Sequence, residues 1–366
     1  MPPQAAQTLL SPAELAYLHT SLSQSPPIRP DLRHATQFRP VIAESDILPT
    51  ANGSARICFS DGTEAIVGIK AEVEKTARVI NPTNEGPPTD DQMAESDAAP
   101  NSDSNPKPGS PSWIELSIDM PGQREDDQLP IFLASMLKGS LHSSALLSKL
   151  YLNERWHWRL YIDVLLLSQP LSYPLPLLSL TTHLALLDTS LPRRTSDPED
   201  DPLFDDDWAA AVPLYDRKGK SGAEKPPVTL LIMTVADNII FDPGRDELAV
   251  ADTVLAVSLA TQKDAGPRVI ALRTVDPPSR LTPLGIPQAA STAQTQATAQ
   301  GGQQVTDVQG PVGANRDLQV ERERGAVWNP PRGGLKRKML MRIMKLVTEK
   351  AGVGDEVLDG LAAIEQ

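Results

Sequence analysis

Nothing constrains this chain more than the run from Val164 to Leu187, which reads VLLLSQPLSYPLPLLSLTTHLALL and carries no formal charge. At 24 residues it is long enough to cross a bilayer as one helix. Pro170, Pro174 and Pro176 oppose that, because each removes a backbone donor and crowds the preceding turn. Ser, Thr, Gln and His residues are scattered through the run without marking one face. β-Branched and aromatic residues gather before Leu167, and helix formers dominate after Pro176. The expectation is a strand over 156–167 buried on both faces, a proline-rich turn over 168–175 and a buried helix over 176–188.

Around that segment, 366 residues leave room for one large or two ordinary domains. Proline reaches 35 residues while aromatics make up 4%. Such a balance points to a compact core interrupted by sizeable disordered insertions. A net charge of −13 argues against a free-standing nucleic-acid binder, since a phosphate backbone repels such a surface unless a local basic patch overrides it. Cys58 is the only cysteine, so neither an internal disulfide nor a cysteine-built zinc site can form. The start, MPPQAAQTLL, lacks the basic and apolar regions of a signal peptide, and a soluble intracellular protein is expected.

Local signals then order the elements. Ser11, Pro12 and Glu14 form a helix start with a capping box. Leu15, Leu18 and Leu22 follow on one face, and Pro26-Pro27 stops the helix, giving an N-terminal helical segment over 1–28. Two β-rich runs flank Ser60-Asp61-Gly62-Thr63, a hairpin signal. A further strand is expected at 113–120, then a helix through LPIFLASMLKGSLHSSALL, with an acidic loop at 197–207. Two more hairpins are expected in VTLLIMTVADNIIFDP and in TVLAVSLATQKDAGPRVIALRTV, the latter turning near Gly266. Residues 81–112 and 288–330 read as disordered insertions. Leu335, Met339, Ile343, Leu346 and Val347 fall at helical spacing with bases between them, so 331–366 is expected to be helical and to pack on the main domain, 29–287. The whole is an α+β arrangement with helices packed on mixed sheets.

Several blocks together resemble a known family: YLHTSLSQSPPIRPDLRHATQFRP, DILPTANGSARICFSDGTEAIVGIKAEV, YIDVLLLS and NIIFDPGRDELAVAD. Their order and spacing are similar to those of the RNase-PH-like ring subunits of the eukaryotic RNA exosome. The resemblance covers about residues 11–80, 113–192 and 226–287 plus the closing helix. It implies a domain of the ribosomal-protein-S5-like α+β class. It also implies a six-membered ring of paired subunits, capped by S1/KH proteins, with RNA threading a central channel. The ring partner it implies is a subunit of the mRNA-transport-regulator-three type, and the location is nucleus, with nucleolar enrichment, and cytoplasm.

Phosphorolytic members of that family need acidic residues near the scissile bond and cations on the phosphates. In active relatives the strand matching YIDVLLLS leads into an Asp-Gly-Gly-type turn with hydroxyl and basic residues after it. Here the turn is Ser168-Gln169-Pro170-Leu171-Ser172-Tyr173-Pro174, with no carboxylate, glycine pair or base. Asp163 lies inside the strand, as a member of an interface or hydrogen-bond network. The block FDPGRDELAVAD keeps Asp242, Asp246, Glu247 and Asp252; the reading favoured for Asp242 is a strand-end acid accepting backbone hydrogen bonds. The family often shows Arg-x-Asp-Gly-Arg, where this chain has Arg29-Pro30-Asp31-Leu32-Arg33. Leucine in the glycine position loses the freedom to take positive φ, so the turn must differ or be strained; an ion-paired corner of Arg29, Asp31 and Arg33 is one reading, and the favoured one is a surface-anchored turn that holds the N-terminal helix.

Arg29, Arg33, Arg39, Arg56, Lys70 and Arg124 are candidates for the RNA channel or a subunit interface. Asp31, Asp163 and Asp242 are structural acids, and no catalytic residue, metal or cofactor is expected. The five histidines show no metal-ligand spacing, and neither a P-loop nor a serine-hydrolase elbow is present. Residues 321–350 hold nine Lys or Arg and three Glu, a helix whose apolar face packs while its bases stay solvated. A non-catalytic structural ring subunit is the leading reading. An active phosphorolytic 3'-5' exoribonuclease using Asp242 and Asp246, and a free adaptor that recruits factors through its insertions, stay open at this stage.

Overall fold

A computed structural model describes residues 10–76, 109–197, 200–215, 224–261, 266–285, 326–349 and 352–364. The tracts expected to be disordered fall mostly outside these residues. Their last few positions fall inside: Pro111–Trp113 forms a 3-10 turn, and Trp328 is packed.

Helix α1 (Pro12–Ser23) starts as its sequence dictates. Ser11 Oγ accepts from the Glu14 amide, and the Glu14 carboxylate accepts from the Ser11 amide at 2.7 Å. Strands β1 (Val41–Ser45), β2 (Gly53–Phe59), β3 (Glu64–Lys75), β4 (Ile114–Asp119) and β5 (Trp156–Leu166) build a sheet in the order β1-β2-β3-β5-β4. All its pairs are antiparallel except β4 with β5. Helices α2 (Gln128–His142) and α3 (Leu146–Lys149) make the crossover between that parallel pair. After α4 (Leu175–Asp188) comes a two-stranded ribbon of β6 (Ser190–Leu191) and β7 (Val212–Pro213). Strands β8 (Lys225–Val235), β9 (Asn238–Phe241), β10 (Thr253–Thr261) and β11 (Pro267–Val275) form an antiparallel sheet in the order β11-β10-β8-β9. Both late hairpins expected from sequence are present. Short α5 (Arg245–Leu248) follows β9, and α6 (Arg337–Thr348) and α7 (Val353–Ile364) close the chain. The α+β class is as read from sequence, and no described helix is long and apolar enough to cross a membrane.

The uncharged run folds as strand, turn and helix. All 14 residues of α4 are buried, because it lies between the two sheets and contacts β2, β3 and β8. Each of its seven leucines contributes roughly 1.5–3 kcal/mol by leaving water. Polar atoms in such a place must find partners. Thr181 and Thr182 donate to the carbonyls four residues back, and Ser179 Oγ accepts from the Thr229 amide at 2.7 Å. At Gly53 a Cβ would lie 2.5 Å from Thr189, so only glycine lets β2 approach the end of α4.

One expectation needs correction. β5 is not buried on both faces but alternates: Leu160, Ile162 and Val164 point into the core, while Asp163 and Leu165 are exposed. The reason is coverage. The four-stranded sheet is covered on both faces, since Leu230 and Ile232 join the α4 core while Leu231 and Met233 join a second cluster with α1 and Trp328. Among the described residues, helices cover the five-stranded sheet on one face only, which matches the period-two alternation.

Candidate functional site: an arginine cluster closed by two acids

The segment from Pro26 to Pro40 runs without regular structure along the end of β9, and its arginines hold it there. Arg29 is 1% exposed and Glu247, on α5, is 2% exposed. They meet in a bidentate pair at 2.7 and 2.8 Å. The other Arg29 donors reach the carbonyls of His34, Gln37, Phe241 and Asp242 at 3.0–3.4 Å. Every face of the guanidinium is engaged.

Asp242, 3% exposed, follows the last residue of β9 at φ 47°, a left-handed conformation that Asp tolerates better than most residues. Its Oδ1 accepts from Arg39 Nη2 at 2.7 Å, and its Oδ2 accepts from Arg33 Nη1 at 2.9 Å and from the Arg39 amide at 2.8 Å. Burial alone pushes this carboxyl up. The hydrogen bonds and charge of Arg39, with the charge of Arg33, outweigh it and hold Asp242 below the usual carboxylate range. Arg39 also donates to Asp61 Oδ2 at 2.7 Å and to Ser172 Oγ at 2.9 Å, and its guanidinium lies 4.5 Å from the Phe59 ring centre.

Residues 168–174 therefore close onto the cluster through Ser172, while Ser168 Oγ accepts from the Glu64 amide at 2.9 Å. Tyr173 stands nearby in the core, its hydroxyl pushed up to about 12 by burial. The turn offers no acid and no base, and Asp242, joined to it through Arg39, already carries two arginines. A carboxylate so engaged has no lone pair to offer a metal ion or a substrate proton. Among the described residues no three His, Cys, Asp or Glu side chains gather closely enough to hold a metal ion.

An ion-paired corner does form, with Asp31 at 3.6 Å from Arg29 and 2.5 Å from Arg33. Beyond that corner, Arg29 and Arg33 also have partners in Glu247 and Asp242, from the other half of the chain. Leu32 does take the left-handed conformation, at φ 61°. Asp242 accepts one backbone amide, as expected, and its guanidinium partners come in addition. The other candidates lie elsewhere. Arg56 bridges Glu44 and Glu64 on the open face of the five-stranded sheet, where Lys70 pairs with Glu72 at 3.5 Å. Asp163 accepts from Ser117 Oγ at 2.6 Å on that face, and Arg124 is exposed in the loop before α2. Sequence reasoning did not single out Asp61, Ser172 or the Glu247 pairing. Asp61 was visible as a hairpin turn residue, and nothing local marks its reach to Arg39.

Residues 37–192 match the 3' exoribonuclease family, domain 1. That span takes in Arg39, Asp61 and the turn at 168–174, and leaves Arg29, Arg33 and Asp242 outside. Exosome complex component RRP42 of Saccharomyces cerevisiae is 32% identical over 267 residues, which is 72% of this chain and 86% of that protein. The chain belongs to the RRP42 family of exosome components. Exosome complex component rrp42 of Schizosaccharomyces pombe agrees, at 30% identity over 268 residues, covering 68% of this chain and 78% of that one. Among solved structures, a chain of an archaeal exosome core is 18% identical, with 90% of this chain and 94% of that chain covered at a TM-score of 0.46.

Proposed function

We propose that this RRP42-family chain is a structural subunit of an exosome ring, supporting 3'-5' RNA processing and degradation without a phosphorolytic centre of its own. The observation that carries this reading is Asp242. It is the buried acid joined through Arg39 to the turn at 168–174, and Arg33 and Arg39 hold both its oxygens. The arginines that a phosphate would need are likewise spent on carboxylates, Arg29 on Glu247 and Arg39 on Asp61 and Asp242. The cluster is a clasp that joins the N-terminal segment to α5 and β9. The Asp-Gly-Gly-type turn of active relatives is, on this view, lost at residues 168–174.

In the ring the chain pairs with another RNase-PH-like subunit, of the mRNA-transport-regulator-three type, touches an S1/KH cap and borders the RNA channel. Its location follows the assembly, in nucleus, nucleolus and cytoplasm. The exposed bases of α6, Lys338, Arg342 and Lys345, are available for a shared electrostatic contact with RNA. The test is phosphate-dependent shortening of a 3' single-stranded RNA by the purified chain, alone and with its ring partner. No phosphate-dependent shortening is expected. Shortening that requires phosphate and disappears in Asp246→Asn, an exposed position whose change leaves the clasp intact, would overturn the reading. Capture of the chain from cell extract as a monomer, with no ring subunits attached, would favour the free-adaptor reading instead.

A further inference from the structure

Four hydroxyl residues of the chain stand directly before a proline: Ser11, Ser25, Ser110 and Thr282. Only Ser110 also has a proline two positions earlier, in Pro108-Gly109-Ser110-Pro111. That spacing has a physical meaning for a protein kinase. A kinase cleft takes its substrate as a short extended segment, and every amide buried there without a partner weakens the complex. Proline after the acceptor removes one such amide and biases the acceptor itself toward extended backbone. The earlier proline fixes φ just upstream in the same range.

Ser110 already has the required form. It is exposed, with φ −64° and ψ 142°, which is polyproline II backbone. Its Oγ accepts from the Ser112 hydroxyl at 2.9 Å and from the Ser112 amide at 3.4 Å, both on the surface. The 3-10 turn that follows, Pro111–Trp113, is closed by the Trp113 amide donating to the Ser110 carbonyl at 3.1 Å. A turn this short opens at little cost, so the extended backbone can continue past the acceptor. Ser11 offers the opposite case. Its amide and hydroxyl are both committed to Glu14, and the proline after it is the first residue of α1.

The position is anchored from beneath. A Cβ at Gly109 would lie 2.3 Å from the Trp113 ring, so Gly109 rests directly on that indole. Trp113 stacks on His157 with ring centres 4.4 Å apart, and His157 Nδ1 is 3.0 Å from Thr76 Oγ1. Thr76 and Gly109 are the described residues on either side of 77–108, so one stack ties both. On α2, His142 bonds the Pro111 carbonyl, and the charge of Lys138, one helical turn earlier, acts on that histidine. A phosphate ester at Ser110 therefore enters surroundings that contain a base and two Ser112 donors. We infer that Ser110 is a phosphorylation site for a proline-directed protein kinase. In the transfer, Ser110 Oγ attacks the γ-phosphorus of ATP, the bond from that phosphorus to the ADP oxygen breaks, and the hydroxyl proton passes to the kinase's catalytic carboxylate. This inference goes beyond the ring-subunit reading and does not depend on it.

The test incubates the purified full chain with ATP and a purified proline-directed kinase of the mitogen-activated class, and locates phosphate by peptide mass spectrometry. Phosphate is expected on Ser110, and Ser110→Ala should lose it. Pro111→Ala restores the amide that the cleft leaves unpaired, and should slow incorporation about tenfold or more. Pro108→Ala should slow it as well, by less. Ser112→Ala removes only a surface hydroxyl, and should leave the rate within about twofold. Urea midpoints of all variants should match that of the parent chain, so that a slower rate reports recognition and not unfolding. No incorporation, phosphate on Ser110 no faster than on Ser11, Ser25 or Thr282, or an unchanged rate in Pro111→Ala would each sink the assignment.

Discussion

Removing one side of the buried Arg29–Glu247 pair tests the physical account of the clasp most sharply. Arg29→Met keeps an unbranched chain of similar reach but deletes six hydrogen bonds, two to Glu247 and four to backbone carbonyls. Glu247 then keeps only the Gly244 amide, at 2.7 Å, in a site from which water is excluded. An uncompensated buried charge of this kind costs about 3–5 kcal/mol. For a body of this size the loss corresponds to a fall in Tm of roughly 6–20 °C. In the double variant Arg29→Met/Glu247→Leu the stranded charge is gone and only the carbonyls remain unmet. The pair should therefore show a coupling of about 1–3 kcal/mol in a double-mutant cycle. Urea denaturation of all four proteins, followed by circular dichroism, gives the numbers. A single-variant cost below about 1 kcal/mol, or strictly additive effects, would refute the claim that this pair holds the N-terminal segment to α5.

Three further outcomes follow from particular residues. Leu32 is 85% exposed at φ 61°, so Leu32→Gly sheds about 1–2 kcal/mol of strain and gives back about 0.5–1 in unfolded-state entropy. The urea midpoint should hold or rise, whereas Leu32→Val should lower it. His183 is fully buried, donates Nδ1–H to the Pro226 carbonyl at 2.9 Å and is held by that burial at about 4. The unfolded chain takes up this proton near pH 6.5 and the folded chain only near 4, so stability is full above 6.5 and declines as pH falls through that window. His183→Gln should flatten the decline between those values in urea titrations. Gly285 donates its amide to the Trp328 carbonyl at 2.9 Å and accepts from the Val327 amide at 2.7 Å, and the Trp328 ring donates to Thr282. Replacing residues 288–324 with a short Gly-Ser linker should leave Tm within about 2 °C, while Trp328→Ala should cost about 3–5 kcal/mol.

How much was legible depended on the range of the interaction. Capping at Ser11 and Glu14, the turn at Asp61-Gly62 and the prolines that divide the uncharged run all act within a few residues, and those elements are where the sequence places them. β1, α5 and the β6–β7 ribbon went unseen because each is five residues or fewer and is stabilised by what it packs against. In β5 the alternation of Arg159, Tyr161 and Asp163 was present to be read, but Leu165 and Leu167 continue it outward as apolar residues and imitate a strand buried on both sides. The clasp was the hardest part. Arg29 and Glu247 stand 218 positions apart, so each could be noticed as a charge while no spacing rule joined them.

The burial of α4 on every side sets an order of events during synthesis. Its covering strand β8 lies further along the chain, so a nascent polypeptide that has just released α4 exposes a helix with no polar face. From Leu187 to Val228 the ribosome adds about 40 residues, which takes roughly 2–8 seconds at ordinary elongation rates. During that interval the segment is a natural client for a chaperone that recognises apolar helices. Pausing between codons 190 and 228 should then raise the fraction that aggregates before the second sheet arrives.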